Sequence, residues 1–479
     1  MKTSGIDRTG HIDRRKLLGG GAASLALITS GLRFAAAQTP GTLRAPTFET
    51  LPNGIGLGDT VFDPTALGYV VDEYLMSGEA ATLAARPTDN TSTDFSPPKV
   101  TGSAPYTTRI VVYRPRNASR FSGNVVIEPY HPRNYPEVFS VVGRFLLRRG
   151  DVVIHVSQAA HLKLLAGRTP ERYGRLATPD ASTFWGWLAQ LATLVKSRGT
   201  GTPVAGNVRR VYLTGYSATS QTTYDFYNYH HPVTRLANGA AVFDGYLPLG
   251  RIVLLAPERD AALVALGTQS DYLARFRDST PAERASRARF DSDDPRSRRR
   301  RYEVPGLFHA PHQPPEEGMP LAPLDPPQVW NECSSKEFPP EAEPAFDGPE
   351  RPLMEACFHH IARWVDQGIA PPRAPLIEAD DAKTLLDEFG NARGGLRMPE
   401  LSLPTARYTR AIPKQIDNCG ATGWKQTFPK AQLVQLYGSR ARYLERYDAE
   451  VDKLLMAGYI LPEGAADMKR NRRRTAPVF

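Results

Sequence analysis

Between residues 109 and 304 the chain alternates between two hydrophobic rhythms. Short β-branched or apolar runs at 109–113, 124–127, 152–156, 208–213, 240–243, 263–266 and 302–304 read as buried strands. Such strands need no polar alternation when both sheet faces are covered. Between them, 138–148, 183–195 and 219–229 carry apolar residues at helical spacing. The segment with Trp185, Trp187, Leu188, Leu191 and Leu194 has a wide apolar face. Strands alternating with helices predict an α/β fold, a mostly parallel central sheet flanked by helices. Before this series, 38–105 is loop-rich, with a strand pair expected at 67–75 and 80–85.

After His309 the rhythm stops. Residues 310–352 are crowded with proline and acidic side chains, as suits an ordered excursion over the surface or a lid. Pro352 then opens a helix running to Gly368, with Leu353, Cys357, Ile361, Trp364 and Val365 on one face. Helices are also expected at 430–437 and 441–456.

The N-terminus has another character. Asp13-Arg14-Arg15-Lys16-Leu17-Leu18 precedes a Gly- and Ala-rich apolar run, then Ala35-Ala36-Ala37. This is the layout of an export signal, and the paired arginines resemble a twin-arginine signal read by that translocase. Cleavage is expected after Ala37, leaving 38–479 as an exported, periplasmic or extracellular domain without a membrane span. The formal charge of +9 changes accordingly, since 1–37 carries a net +4 of it. Two basic runs remain, Arg298–Arg301 and the stretch 469–474 leading into a tail at 471–479. No aromatic or recognition-helix pattern accompanies either run. Both are expected to be solvated surface or loose tail, and no nucleic-acid partner is expected. The three cysteines, Cys333, Cys357 and Cys419, allow at most one pair within the chain.

Candidate chemistry centres on 211–221, an apolar run followed by a turn with Ser217 at its apex and the start of a helix. Gly215 stands two residues before the serine. A serine on a sharp strand-to-helix turn exposes its Oγ above the strand ends, and the helix start offers free N–H groups to an oxyanion. Its partners should follow in the order acid, then histidine, each just beyond a strand. Asp271 lies shortly past the strand at 263–266, and His309 follows a strand and the Pro305-Gly306 turn. Asp260 and Glu258 compete for the acid role but precede that strand. The N–H of Ala218 is one expected oxyanion donor. The other is expected from the loop after the strand at 124–127, at Tyr130 or His131, because Pro129 and Pro132 have no N–H. His230-His231, His359-His360 and His309-x-x-His312 lack the spacing of a metal site, so neither metal nor cofactor is expected.

These pieces fall in a recognisable order. Gly215-Tyr216-Ser217, Phe243-Asp244-Gly245, Thr268-Gln269-Ser270-Asp271 and Gly306-Leu307-Phe308-His309-Ala310 come first. Arg363-Trp364-Val365-Asp366, Asp387–Asn391, Gly394–Pro399, Cys419-Gly420 and Leu436–Ser439 follow. Together they resemble a bacterial family of often exported, serine esterase-like α/β-hydrolase-domain proteins, over roughly residues 50–470. The resemblance implies an α/β-hydrolase fold whose C-terminal helical segments, 353–470, pack on the same domain. One departure stands out. The family's turn usually reads Gly-Tyr-Ser-Gln-Ser-Gly, and here Ala218, Thr219 and Ser220 follow the serine. The resulting expectation is an exported serine hydrolase acting on a small-molecule or acylated substrate, a carboxylic ester by analogy with the fold. Amide or peptide cleavage on the same residues, or binding without catalysis, are the alternatives.

Overall fold

Strands that are apolar on both faces require cover on both sides, and the chain supplies it. The computed structural model describes residues 46–52, 62–84, 93–132, 135–177, 181–197, 202–204, 206–271, 290–309, 341–345, 350–380, 383–410 and 423–479. All of them belong to one unit, Thr42–Phe479. The leader at 1–37, most of the Pro-rich stretch at 310–352, Cys333 and Cys419 lie outside the described residues.

Nine described strands form the central sheet: β1 (Thr47–Thr50), β2 (Tyr69–Leu83), β3 (Val100–Pro115), β4 (Asn124–Pro129), β5 (Val152–Val156), β6 (Arg210–Tyr216), β7 (Gly245–Leu249), β8 (Ala262–Thr268) and β9 (Arg299–Val304). Their order is β1-β2-β3-β5-β4-β6-β7-β8-β9. Pairing is antiparallel from β1 to β5 through β3, and parallel from β5 across to β9. The parallel half therefore sends every strand's carboxyl end to the same edge, where loops converge.

Alternation along the strands divides the core in two. Tyr212, Leu247 and Val264 pack with Val138, Val142 and Leu146 of helix α1 (Glu137–Arg149) and with Leu353 and Trp364 of the helix Glu350–Gln367. Val125, Leu213 and Leu263 face the other way, onto Trp187, Leu188 and Leu191 of the helix Phe184–Ser197. The C-terminal helices Arg440–Met456 and Pro462–Thr475 place Tyr443, Tyr447, Val451 and Met468 in the first of these cores. They are part of the domain's own packing. No helix among the described residues is long and apolar enough to cross a membrane.

Four expectations are corrected. The strand pair at 67–75 and 80–85 is one continuous strand, β2, paired along its length with β3. Gly78 is no turn: it faces Tyr106, and a Cβ there would come within 2.9 Å of the Tyr106 hydroxyl. The run 240–243 precedes its strand, which begins at Gly245. Arg299–Arg301 lie inside β9, with Arg300 and Arg301 buried. Arg300 pairs with Asp291 at 3.1 Å and Asp293 at 2.6 Å, and Arg301 with Glu303 at 3.2 Å. Finally, the basic stretch at 469–474 is helical, and Arg472 is buried with its Nε donating to the Tyr443 hydroxyl at 2.7 Å. In the last two cases neighbouring acids or aromatic faces cover the charge: Trp364 and Phe290 lie against Arg300 and Arg301, and Tyr443 and Tyr447 against Arg472.

Candidate active site

The site begins at the end of β6. Ser217 caps the helix Ala218–Asp225 with φ 56° and ψ −115°, the only positive φ at a non-glycine residue among those described. A backbone in that region costs about 1–3 kcal/mol and persists only where its surroundings hold it. Here they do. A Cβ at Gly215 would sit 2.2 Å from the Thr219 carbonyl oxygen, so only glycine lets strand and helix approach this closely. Thr219, wholly buried, accepts a hydrogen bond from the Tyr216 N–H and donates one to the Tyr216 carbonyl, each 2.9 Å. The turn is thus stapled by one hydroxyl.

Asp271 arrives just past β8. Its Oδ2 accepts from the N–H and hydroxyl of Thr268 at 2.8 and 2.7 Å, which turns Oδ1 outward. His309 follows β9 through a turn in which Gly306 has φ 73°. The two strand ends are clipped together: Gly306 N–H donates to Gln269 Oε1 at 2.7 Å, and Gln269 N–H to the Leu307 carbonyl at 2.9 Å. The Tyr216 hydroxyl donates to the His309 carbonyl at 3.0 Å, and the two rings lie 5.5 Å apart.

These supports bring three side chains into line. Ser217 Oγ is 2.7 Å from His309 Nε2, and His309 Nδ1 is 2.6 Å from Asp271 Oδ1. A carboxylate can only accept, so Nδ1 carries the proton and Nε2 of the neutral ring is left to accept from the serine hydroxyl. Burial alone would hold the His309 imidazolium down, but the charge and hydrogen bond of Asp271 outweigh it, and the net shift is upward. Burial likewise disfavours the Asp271 carboxylate. His309 and the two Thr268 bonds reverse that and lower its pKa. Such a linkage can draw a proton from a hydroxyl as that oxygen attacks an electrophile, and return it to a departing group.

The competing acids are occupied elsewhere. Asp260 bonds His231 Nε2 at 2.6 Å and the Arg235 guanidinium at 2.7 and 2.8 Å. Glu258 lies 3.9 Å from Arg296 on the surface. Ala218 N–H is the first of its helix and has no acceptor within it. The second expected donor needs correction. Tyr130 N–H donates to the Val156 carbonyl at 2.9 Å, and His131 N–H to the Tyr135 carbonyl at 3.1 Å. The first extends the β4–β5 ladder and the second closes a turn, so neither points at an open site.

One neighbour had no signal in the sequence. Glu350, buried at the start of its helix, lies beside the Tyr216 hydroxyl, and burial pushes its carboxyl up to about 8. It is 133 positions beyond Ser217, in no motif, and only the packing of that helix on the sheet brings it here. Among the described residues no group of three or more His, Cys, Asp and Glu is arranged to hold a metal ion. His231 and His360 are engaged instead with Tyr246 and Asp260, and with the Gly458 carbonyl.

Comparison with known proteins adds the following. A model of the family described as "Alpha/beta hydrolase domain" matches residues 37–470. Among solved structures, the chain is similar to a ferulic acid esterase from Streptomyces cinnamoneus, at 14% identity and a TM-score of 0.28, over 53% of this chain and 78% of that one. It is also similar to LpqC, a poly(3-hydroxybutyrate) depolymerase from Bordetella parapertussis, at 12% identity and a TM-score of 0.28, over 64% of this chain and 91% of that one. Likenesses of this size carry no argument about chemistry. No curated protein matches the chain.

Proposed function

The chain belongs to the alpha/beta hydrolase domain family, and from that premise we propose that it is a serine hydrolase cleaving carboxylic esters through an acyl-enzyme. Ser217 Oγ attacks the ester carbonyl while His309 Nε2 takes its proton. Asp271 holds the ring in the tautomer this requires and stabilises the imidazolium. The Ala218 N–H, at a helix start, faces the charge that develops on the carbonyl oxygen. His309 then returns the proton to the leaving alkoxide. A water activated by the same nitrogen next attacks the acyl group, and Ser217 leaves as the hydroxyl. No step calls for a cofactor.

The observation that carries this reading is the unbroken linkage Ser217–His309–Asp271, at 2.7 and 2.6 Å, on a serine held at positive φ. Nothing in ordinary packing requires those three features together. The preference for esters over amides rests on analogy with the fold. A fluorophosphonate probe should label wild type and spare Ser217→Ala; unlabelled wild type, or equal labelling of both, ends the enzyme reading. Paired 4-nitrophenyl esters and 4-nitroanilides of one acyl group then decide the leaving group, and faster anilide cleavage would replace esterase by amidase. Asp271→Asn should lose far more activity than Asp260→Asn. In the same reading, residues 1–37 direct export by a twin-arginine translocase. Replacing Arg14 and Arg15 by lysine should retain the protein in the cytoplasm, and unchanged export would refute that route.

A further inference from the structure

The carboxyl edge of the sheet delivers a further residue to the site. β7 runs between β6, which carries Ser217, and β8, which leads to Asp271, so the residues just past Leu249 stand between nucleophile and acid. Two bonds pin them there: Ser217 N–H donates to the Leu249 carbonyl at 3.1 Å, and Gly250 N–H to the Leu266 carbonyl at 2.8 Å. Gly250, at φ 63°, lies against the Tyr216 ring, where a Cβ would meet Cζ at 2.4 Å. That ring in turn packs on His309. The next residue is Arg251.

The Arg251 backbone is held, since its carbonyl accepts from the Tyr224 hydroxyl at 3.2 Å. Its guanidinium has no such tie among the described residues. Among the described residues no carboxylate lies within ion-pair distance of it, and its Nε is buried without a hydrogen-bond acceptor. Arg251 is half-buried in the loop after β7, whereas the wholly buried arginines of the sheet are matched: Arg300 by Asp291 and Asp293, Arg301 by Glu303, Arg109 by Glu73. Leaving a partly desolvated cation without a counter-charge opposes folding. A planar guanidinium fork is also the group best suited to grip a carboxylate at two points. The positive charge reaches the reacting groups, because it opposes the imidazolium of His309.

Resting on the serine-hydrolase reading, we propose that Arg251 selects substrates bearing a carboxylate within a few bonds of the scissile ester, which it binds as counter-ion. The natural substrate class is thus a monoester of a dicarboxylic acid or an ester of a hydroxy acid.

The test compares two pairs of esters. Mono-4-nitrophenyl glutarate against 4-nitrophenyl valerate places the charge on the acyl side, and 4-acetoxybenzoate against phenyl acetate places it on the leaving group. In wild type at least one charged member should have the higher kcat/KM. In Arg251→Met that charged-to-neutral ratio should fall roughly ten- to hundredfold, mostly through KM, as expected for a lost charge-assisted contact. Arg251→Lys should recover part of it. An unchanged ratio, or an equal fall for charged and neutral esters, would overturn the proposal in favour of a structural role. If wild type neither hydrolyses esters nor reacts with fluorophosphonate, the hydrolase reading fails by itself. The anion site is then judged by calorimetric titration of glutarate into Ser217→Ala, with and without Arg251→Met. Binding weakened at least tenfold by the second change supports the site, and equal or absent binding in both refutes it.

Discussion

Thr219→Val isolates the device that holds the nucleophile. The substitution keeps the shape of the side chain and deletes one hydroxyl, which alone makes two contacts with the Tyr216 backbone, each 2.9 Å. Pairing of β6 with β4 ends at Leu213, so the sheet edge on that side does not extend to Tyr216, and Thr219 takes its N–H. Tyr216 is wholly buried, so water cannot replace the lost bond without the turn opening. Leaving the N–H unmatched costs about 1–3 kcal/mol. The strained backbone of Ser217 stores about 1–3 kcal/mol of its own. The staple and the strain are therefore of equal size, and removing the first lets the second relax. A loss of about 1.4–2.8 kcal/mol in the population of the exposed serine conformation is a ten- to hundredfold fall in kcat/KM. We expect that fall in kcat with KM little changed, a parallel slowing of fluorophosphonate labelling, and a lowered Tm. Thr219→Ser, which restores the hydroxyl and matches the serine usual in the family, should recover most of the rate. Thr219→Val labelling as fast as wild type, at an unchanged Tm, would show that the hydroxyl staples nothing.

Three further outcomes follow from the same geometry. His309 must be neutral to take the serine proton, so kcat/KM on a neutral ester should rise with pH through a value above the ordinary 6.5; Asp271→Asn should move that limb to lower pH and cut the rate on the order of 10³–10⁴-fold, and an unmoved limb would refute the coupling. Glu350, raised to about 8, is protonated in the folded state where the unfolded carboxyl is ionised, so wild type loses stability as pH rises from the unfolded carboxylate range towards 8; Glu350→Gln should gain in Tm over wild type across that window, and a difference independent of pH would contradict it. Arg300→Ala should cost about 1–3 kcal/mol in urea unfolding, discounted because Asp293 can regain water, and a change under about 0.5 kcal/mol would return this arginine to the solvated surface.

Much of the fold was legible because the parallel strands, apolar on both faces, announce themselves without partners. Val152–Val156 and Ala262–Thr268 are buried at every position. The three site residues were legible for a related reason. A parallel sheet gathers its strand ends on one edge, so the chain order of a serine, an acid and a histidine after successive strands already implies their meeting. What misled was local composition at places where a distant segment decides. The strand pair expected at 67–75 and 80–85 is one strand, because β3 pairs along all of it and Tyr106 fills the space beside Gly78 that a side chain would take. Arg299–Arg301 looked solvated, yet Asp291, Asp293 and Glu303, with the faces of Trp364 and Phe290, accommodate the charge of Arg300 and Arg301 inside the domain.

The oxyanion donors separate what strand order conveys from what it does not. Order places Tyr130 and His131 at the edge where the second donor is needed, and the structure puts them there. Whether an N–H is free depends on where the ladder stops, and β4 continues two residues past the apolar run at 124–127, to Pro129, so that the next N–H, that of Tyr130, goes to the Val156 carbonyl. His131 is then drawn into the turn closed by Tyr135. The departure at 218–220 resolves by the same accounting. Thr219 supplies the hydroxyl that a serine would supply there, so the turn keeps its staple. Ser220 replaces a glycine at a buried position and leaves its Oγ without a hydrogen-bond partner among the described residues. A mismatch of that kind costs stability rather than chemistry. It turns the question of what this enzyme prefers away from the serine turn and towards the next strand end, where Arg251 stands without a carboxylate partner among the described residues.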